Sequence, residues 1–387
     1  MKKEYGLVLA GGGTKGAYEV GAWKALKEMN MNITAICGAS IGAINAALMI
    51  QDDFDKLLKI YDTIKIENIV DVKEKLKNKK NILSAKNVVP LATEYVKTKG
   101  FDNKPLREMM EKYLDIDKIY SSNIELGMTT YSKKSKTALE VFKEDIPKDE
   151  FIDYLLATAC FPIYKGQKIG EEEYFDGGYY DNVPINMLAK KGYKNIIVID
   201  ISNDGIKRKI ASKGTYLKII RSNEDLGGIF EFDREKMKKN MMMGYLDTLK
   251  AFNKLQGHTY YFTIPEFNKL VSIFNLNTLY GLEYAARIYN IDKYQIYTAE
   301  EFLNLIMEKH NRYQNEYNKF RKVFNFKRIV SQYKLVMRVI SKGFGLCFFM
   351  DMLASEPKFR TNKLLNKFFS DYIVATDAMN ELINYKE

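Results

Sequence analysis

Residues 33–48 read Ile33-Thr34-Ala35-Ile36-Cys37-Gly38-Ala39-Ser40-Ile41-Gly42-Ala43-Ile44-Asn45-Ala46-Ala47-Leu48. An apolar run, Ile33–Cys37, predicts a buried strand that ends on a glycine. Ala43, Ile44, Ala47 and Leu48 then recur at helical spacing. Ser40 falls on the bend between them, in the pentapeptide Gly38-Ala39-Ser40-Ile41-Gly42. This is the setting of a nucleophile elbow, where a strained strand-to-helix turn lifts a serine hydroxyl clear of the sheet. Gly38 and Gly42 suit the crowding of that turn, because a side chain there would meet the neighbouring strand or helix. The plainer reading is a glycine-flanked serine that caps a helix.

The same strand–glycine–helix order occurs just upstream. Tyr5–Ala10 predicts a first strand, Gly11-Gly12-Gly13-Thr14-Lys15-Gly16 ends it, and Ala17, Val20, Trp23 and Leu26 follow at helical spacing. A glycine-rich turn at a helix N-terminus exposes backbone N–H groups and binds anions. Gly11-x-Gly13-x-x-Gly16 also fits the dinucleotide fingerprint. That reading expects an acidic residue at the end of the second strand, whereas the strand here ends in Cys37-Gly38. Lys15 reads as a solvated lysine on the helix's first turn, with stabilisation of an oxyanion or a phosphate as the alternative.

Downstream, Ile124–Tyr131, Thr137–Phe142, Glu173–Phe175, Asn195–Ile201 and Tyr260–Ile264 predict strands, and Asp149–Ala159 predicts a helix. Strands alternating with helices imply a mostly parallel sheet covered on both faces. From about residue 297 the pattern is helical. The expected organisation is an α/β catalytic domain over residues 1–300 and a basic helical C-terminal extension over residues 301–387.

Composition bounds the rest. Of 387 residues, 46% are hydrophobic and 28% charged, an ordinary globular balance that excludes wholesale disorder. The net charge is +11. Between Arg312 and Lys342, nine Lys/Arg face the single acid Glu316, so +8 of that charge is local. Phe326, Val330, Tyr333, Met337 and Ile340 recur every three to four residues there, with Arg328, Lys334, Arg338 and Lys342 largely opposite. Such a helix can lie on an anionic membrane or pack with its basic face in water. No nucleic-acid motif accompanies the charge, so nucleic acid is not an expected partner. Cys37, Cys160 and Cys347 are too few for a disulfide framework and suggest a reducing, cytoplasmic compartment. No run approaches the length of a membrane span, and the apolar start is too short for a signal peptide. Met241-Met242-Met243 lies in a predicted helix that either packs a core or lines an acyl pocket.

A third segment carries chemistry: Phe175-Asp176-Gly177-Gly178, followed by Tyr179-Tyr180-Asp181-Asn182-Val183-Pro184. Asp-Gly after a short strand is ordinarily a turn. It gains weight from the scarcity of histidine, the usual partner of a nucleophilic serine. The chain has two histidines, His258 and His310, in predicted regular structure rather than on presenting loops. If Ser40 is a nucleophile, a carboxylate has to take its proton. Asp181 reads as a cap for the helix near Pro184.

GGGTKG, GASIGA and FDGGYYDNVP, in this order, resemble the motif set of the patatin-like phospholipases. Ala157-Thr158-Ala159-Cys160-Phe161-Pro162 and the strand Ile196–Ile201 are consistent with it. The resemblance covers roughly residues 5 to 300, with the specific motifs within 11–184. It implies a three-layer α/β/α sandwich and a serine lipid acyl hydrolase acting on phospholipids or lysophospholipids without metal or cofactor. By motif position it implies Ser40 as nucleophile, Asp176 as base and the Gly11, Gly12 and Gly13 amides as oxyanion hole, with Gly16, Gly38, Gly42, Gly177 and Gly178 supporting the turns. Cys160 stands where a small residue is common in the family. The competing class is a nucleotide-binding α/β protein that uses the glycine loop and hydrolyses nothing.

Overall fold

The computed structural model describes residues 3–71, 100–202, 206–210, 214–321, 343–361 and 363–387. The chain divides into two compact units, Met1–Ala251 and Phe252–Glu387.

The first unit runs β1 (Tyr5–Leu9), α1 (Ala17–Glu28), β2 (Ile33–Gly38), α2 (Ile41–Ile50), α3 (Phe54–Thr63), α4 (Lys104–Tyr113), α5 (Ile116–Ser121), β3 (Glu125–Ser132), β4 (Ala138–Phe142), α6 (Phe151–Thr158), β5 (Gln167–Ile169), β6 (Glu172–Phe175), α7 (Ile185–Lys190), β7 (Asn195–Ile199), β8 (Tyr216–Ile220) and α8 (Arg234–Ala251). Its eight strands form one sheet in the order β5-β6-β3-β2-β1-β7-β8, with β4 also on β3. The ladders joining β3, β2, β1, β7 and β8 are parallel, and β4, β5 and β6 join antiparallel. Successive residues of β1 and β7 point to opposite faces, yet Leu7–Leu9 and Ile196–Ile199 are all buried. Both faces are therefore covered, giving the three-layer α/β/α arrangement of a mostly parallel sheet.

Direction reverses at β1: the chain moves to β2 and β3 on one side and returns to β7 and β8 on the other. Crevices for ligands form beyond the carboxyl ends of strands at such a point. Leu9 pairs with Gly38 in register, so β1 and β2 end at one level and release the glycine loop and Ser40 side by side. The helices α1 and α8 lie unusually close to each other. A Cβ on Gly21 would fall 1.7 Å from the Met241 carbonyl oxygen, and one on Gly244 1.9 Å from that of Tyr18.

The second unit holds a three-stranded sheet, β9 (Leu255–Gln256), β10 (Tyr261–Thr263) and β11 (Ile296–Tyr297), and the helices α9 (Ile264–Ile273), α10 (Leu276–Ile288), α11 (Ala299–Arg321), α12 (Gly345–Ser355) and α13 (Lys363–Lys386). The division falls at Ala251/Phe252, not near residue 300. The reason is packing: Tyr260, Phe262 and Leu282 share one core with Phe302, Ile306 and Leu382. The strand near Tyr260–Ile264 accordingly serves the small sheet and not the main one. Residues 322–342, which carry most of the basic amphipathic pattern, lie outside the described residues. Among the described residues no helix is long and apolar enough to cross a membrane.

Candidate active site

Ser40 occupies the N-cap position of α2 without a side-chain cap bond, at φ +51° and ψ −125°, a strained conformation for a residue with a side chain. Two interactions hold it. Its N–H donates to Thr158 Oγ1 at 3.0 Å, and Thr158 Oγ1 donates to the Thr129 carbonyl at 2.6 Å. The flanking glycines are sterically required, since a Cβ on Gly42 would sit 2.5 Å from the Leu9 carbonyl oxygen and one on Gly38 2.4 Å from Ala43 N. The positive end of α2 lies at the Ser40 position.

Asp176 follows β6 directly. Pairing of Phe175 with Tyr131 and the bond from Asp176 N–H to the Cys160 carbonyl, 2.9 Å, set its position. The carboxylate is buried, accepts from Gly178 N–H at 2.7 Å, and lines the same cavity as Ser40. Burial pushes its pKa up from 3.8 to about 6 against the opposing pull of the Gly178 N–H and the nearby Ser40 hydroxyl. Ser40 and Asp176 both lie in the wall of one cavity.

The glycine loop lies against both. Gly11 N–H donates to the Asn182 carbonyl at 3.1 Å, and Asn182 Nδ2 donates back to the Gly11 carbonyl at 3.1 Å. Gly11 therefore has its N–H committed, while the Gly12 and Gly13 N–H groups donate to no group among the described residues. Gly13 has φ +59°, and a Cβ there would strike the Ile229 carbonyl oxygen at 2.2 Å. At the loop's far end, Asn45 Nδ2 donates to the Gly16 carbonyl at 3.1 Å and to Glu19 Oε2 at 2.8 Å. Asn45 Oδ1 accepts from Tyr61 OH at 2.9 Å. Glu19 is fully buried, and desolvation raises its pKa well above the ordinary carboxylate value.

These groups open onto one cavity of about 610 Å³. Ser40, Asp176 and Gly11–Gly13 lie in its wall, and Ile44, Leu48, Ile60, Phe161 and Phe230 supply much of its apolar surface. Lys15 also lines it and is only 6% exposed, so the expectation of a solvated lysine is corrected: the tight turn after Gly13 carries it inward. From α8, Met237 reaches the cavity, whereas Met241–Met243 are not among its lining residues. Asp181 is buried and accepts from Val183 N–H at 3.3 Å, and the helix at Ile185 has no side-chain cap.

Neither histidine lines the cavity. Both belong to the second unit, where His310 Nδ1 lies 2.8 Å from Tyr289 OH and the His258 N–H donates to Glu283. All three cysteines are free and buried. Among the described residues no group of His, Cys, Asp and Glu could hold a metal ion. Thr158, Asn182, Asn45 and Glu19 went unread in the sequence as parts of the site.

Residues 7–189 match the family model described as patatin-like phospholipase. Over 207 residues the chain is 27% identical to the lysophospholipase NTE1 of the yeast Meyerozyma guilliermondii, covering 51% of this chain and 12% of that protein. Over 197 residues it is 28% identical to the probable lipid hydrolase 463L of invertebrate iridescent virus 6, covering 48% and 63% respectively. The chain thus spans about an eighth of the length of the yeast relative. Among solved structures, VipD from Legionella pneumophila aligns with a TM-score of 0.41 and 13% identity, covering 98% of this chain and 91% of VipD.

Proposed function

Residues 7–189 form a patatin-like phospholipase domain, and from that premise we propose that the chain hydrolyses carboxylic esters of lipids, phospholipids or lysophospholipids, through Ser40 and Asp176. The observation that supports this reading is that Ser40 and a buried Asp176 lie together in the wall of one apolar cavity that no histidine lines. The names of the relatives, a lysophospholipase and a probable lipid hydrolase, support the same substrate class.

In this mechanism Ser40 Oγ attacks the ester carbonyl carbon while Asp176 takes the hydroxyl proton. A carboxyl pKa near 6 makes Asp176 a better base than an ordinary aspartate and keeps it ionised at neutral pH. The Gly12 and Gly13 N–H groups receive the negative charge on the carbonyl oxygen, each such donor being worth about 3 kcal/mol in comparable sites. Gly11, with its amide engaged by Asn182, shapes the loop instead. Collapse expels the alcohol, which takes the proton from Asp176 and leaves an acyl-serine. Water then attacks with Asp176 again as base, releasing the fatty acid and restoring the hydroxyl.

A fluorophosphonate probe and a panel of lipid esters test the reading. Wild-type protein should be labelled and active, and Ser40→Ala should lose both. Retained hydrolysis by Ser40→Ala would refute the nucleophile. Protection of the glycine loop by a dinucleotide, with no covalent labelling, would favour the nucleotide-binding reading.

A further inference from the structure

The apolar wall of the cavity runs out into solvent at two side chains. Tyr179 and Ile206 both line it, and they are 50% and 52% exposed. Ile206 begins the exposed segment Ile206-Lys207-Arg208-Lys209-Ile210, whose other apolar residue, Ile210, is 43% exposed. Three consecutive cations thus stand between two outward isoleucines at the rim of the cavity that holds Ser40.

This strap is fastened to the turn that bears Asp176. Asn182 N–H donates to the Ile206 carbonyl at 2.7 Å, and Asn186 Nδ2 donates to the Lys209 carbonyl at 3.0 Å. The Arg208 guanidinium lies 3.6 Å from the Tyr180 ring centroid. The charge is only partly offset. Asp200 takes both Lys207 and Arg221, and buried Asp181 faces Arg208, so four cations meet two carboxylates.

We propose that residues 206–210 and Tyr179 form the face by which the protein seats its cavity on the surface of an anionic lipid bilayer. Exposed apolar side chains are costly in water but enter the boundary between head groups and acyl chains, and neighbouring cations gain from anionic lipid. An acidic protein partner would use the cations but would give no reason for the apolar residues to continue into the cavity wall. The inference rests on the lipid-ester reading above, because it explains how a substrate would reach Ser40 without crossing water.

The test uses the full chain with Ser40→Ala, to prevent turnover, and Ile210→Cys carrying a nitrobenzoxadiazole fluorophore. The native cysteines are all buried, so labelling falls on the introduced thiol. Vesicles of phosphatidylcholine with about one-third phosphatidylserine should shift the emission to the blue, and pure phosphatidylcholine should do so far less. Adding Lys209→Glu should weaken partition about 25-fold, taking roughly fivefold per unit charge. Co-sedimentation with the anionic vesicles without a blue shift would place the contact elsewhere and overturn the proposal. Failure to bind, or an equal shift with soluble polyglutamate, would overturn it too. In chains that keep Ser40, Lys209→Glu and Ile210→Cys lie outside the cavity wall and should leave hydrolysis of a water-soluble short-chain ester unchanged. Loss of that hydrolysis in the otherwise unaltered protein would count against the lipid-ester reading, whereas loss of the vesicle shift alone counts against the docking face.

Discussion

Replacing Asp176 by asparagine should abolish ester cleavage and at the same time make the first unit more stable. The reason lies in the burial of the carboxylate. Its pKa is pushed from 3.8 to about 6, and at about 1.4 kcal/mol per unit this corresponds to roughly 3 kcal/mol. A raised pKa means that the folded chain binds the proton more tightly than the unfolded one. The contribution is therefore fully favourable below pH about 4 and is lost as pH rises through about 6. Asparagine carries no charge to desolvate, and its Oδ1 can still accept from Gly178 N–H. The stability advantage of Asp176→Asn should grow from near zero at pH 4 to about 3 kcal/mol at pH 8. Trp23 is the chain's one tryptophan, buried in α1, so urea unfolding followed by its fluorescence reports the first unit. A variant no more stable than wild type at pH 8, or an advantage independent of pH, would refute the reasoning.

On the proposed mechanism the same ionisation governs activity with the opposite sense: kcat/KM for a soluble ester should rise with pH and level off above about 6, because only ionised Asp176 could accept the Ser40 proton. Gly42→Ala brings a Cβ to 2.5 Å from the Leu9 carbonyl oxygen and must push the start of α2 away. A displacement of about 1 Å at the nucleophile should lower kcat about 100-fold, readable in ester assays of folded variant. Asn45→Ala removes one partner each from the buried Glu19 carboxyl, the Gly16 carbonyl and Tyr61 OH. At about 1 kcal/mol for each of the three lost hydrogen bonds, Trp23-monitored unfolding should show a loss of about 3 kcal/mol.

What could be read from the sequence is what depends on near neighbours. The glycine loop, the bend at Ser40 and the Asp176 turn each follow from a strand, glycines and a helix within a few residues, and β1, β2 and β7 announce themselves as apolar runs. The edge strand β8 does not, because Tyr216 and Ile219 are exposed and its pattern lacks a continuous apolar run. Lys15 misleads because its burial depends on a turn and on a cavity wall built from distant segments. Asn182 and Gly11 are separated by 171 positions, and Asn45 and Glu19 by 26. No local pattern marks single polar residues whose meaning comes from such remote partners. The division at Ala251 was hidden for a similar reason, since aromatic residues on both sides of residue 300 fill one core.

Asn182 grips Gly11 through both its backbone and its side chain, and it stands six positions beyond Asp176 on the same turn. In the proposed mechanism the proton acceptor and the amides that would receive negative charge are consequently yoked. Loosening residues 176–182 by heat, denaturant or a poorly fitting ligand would spoil both halves of the chemistry in one movement. Catalytic output from such a centre should fade abruptly, as a latch slipping, and not through a series of half-competent forms.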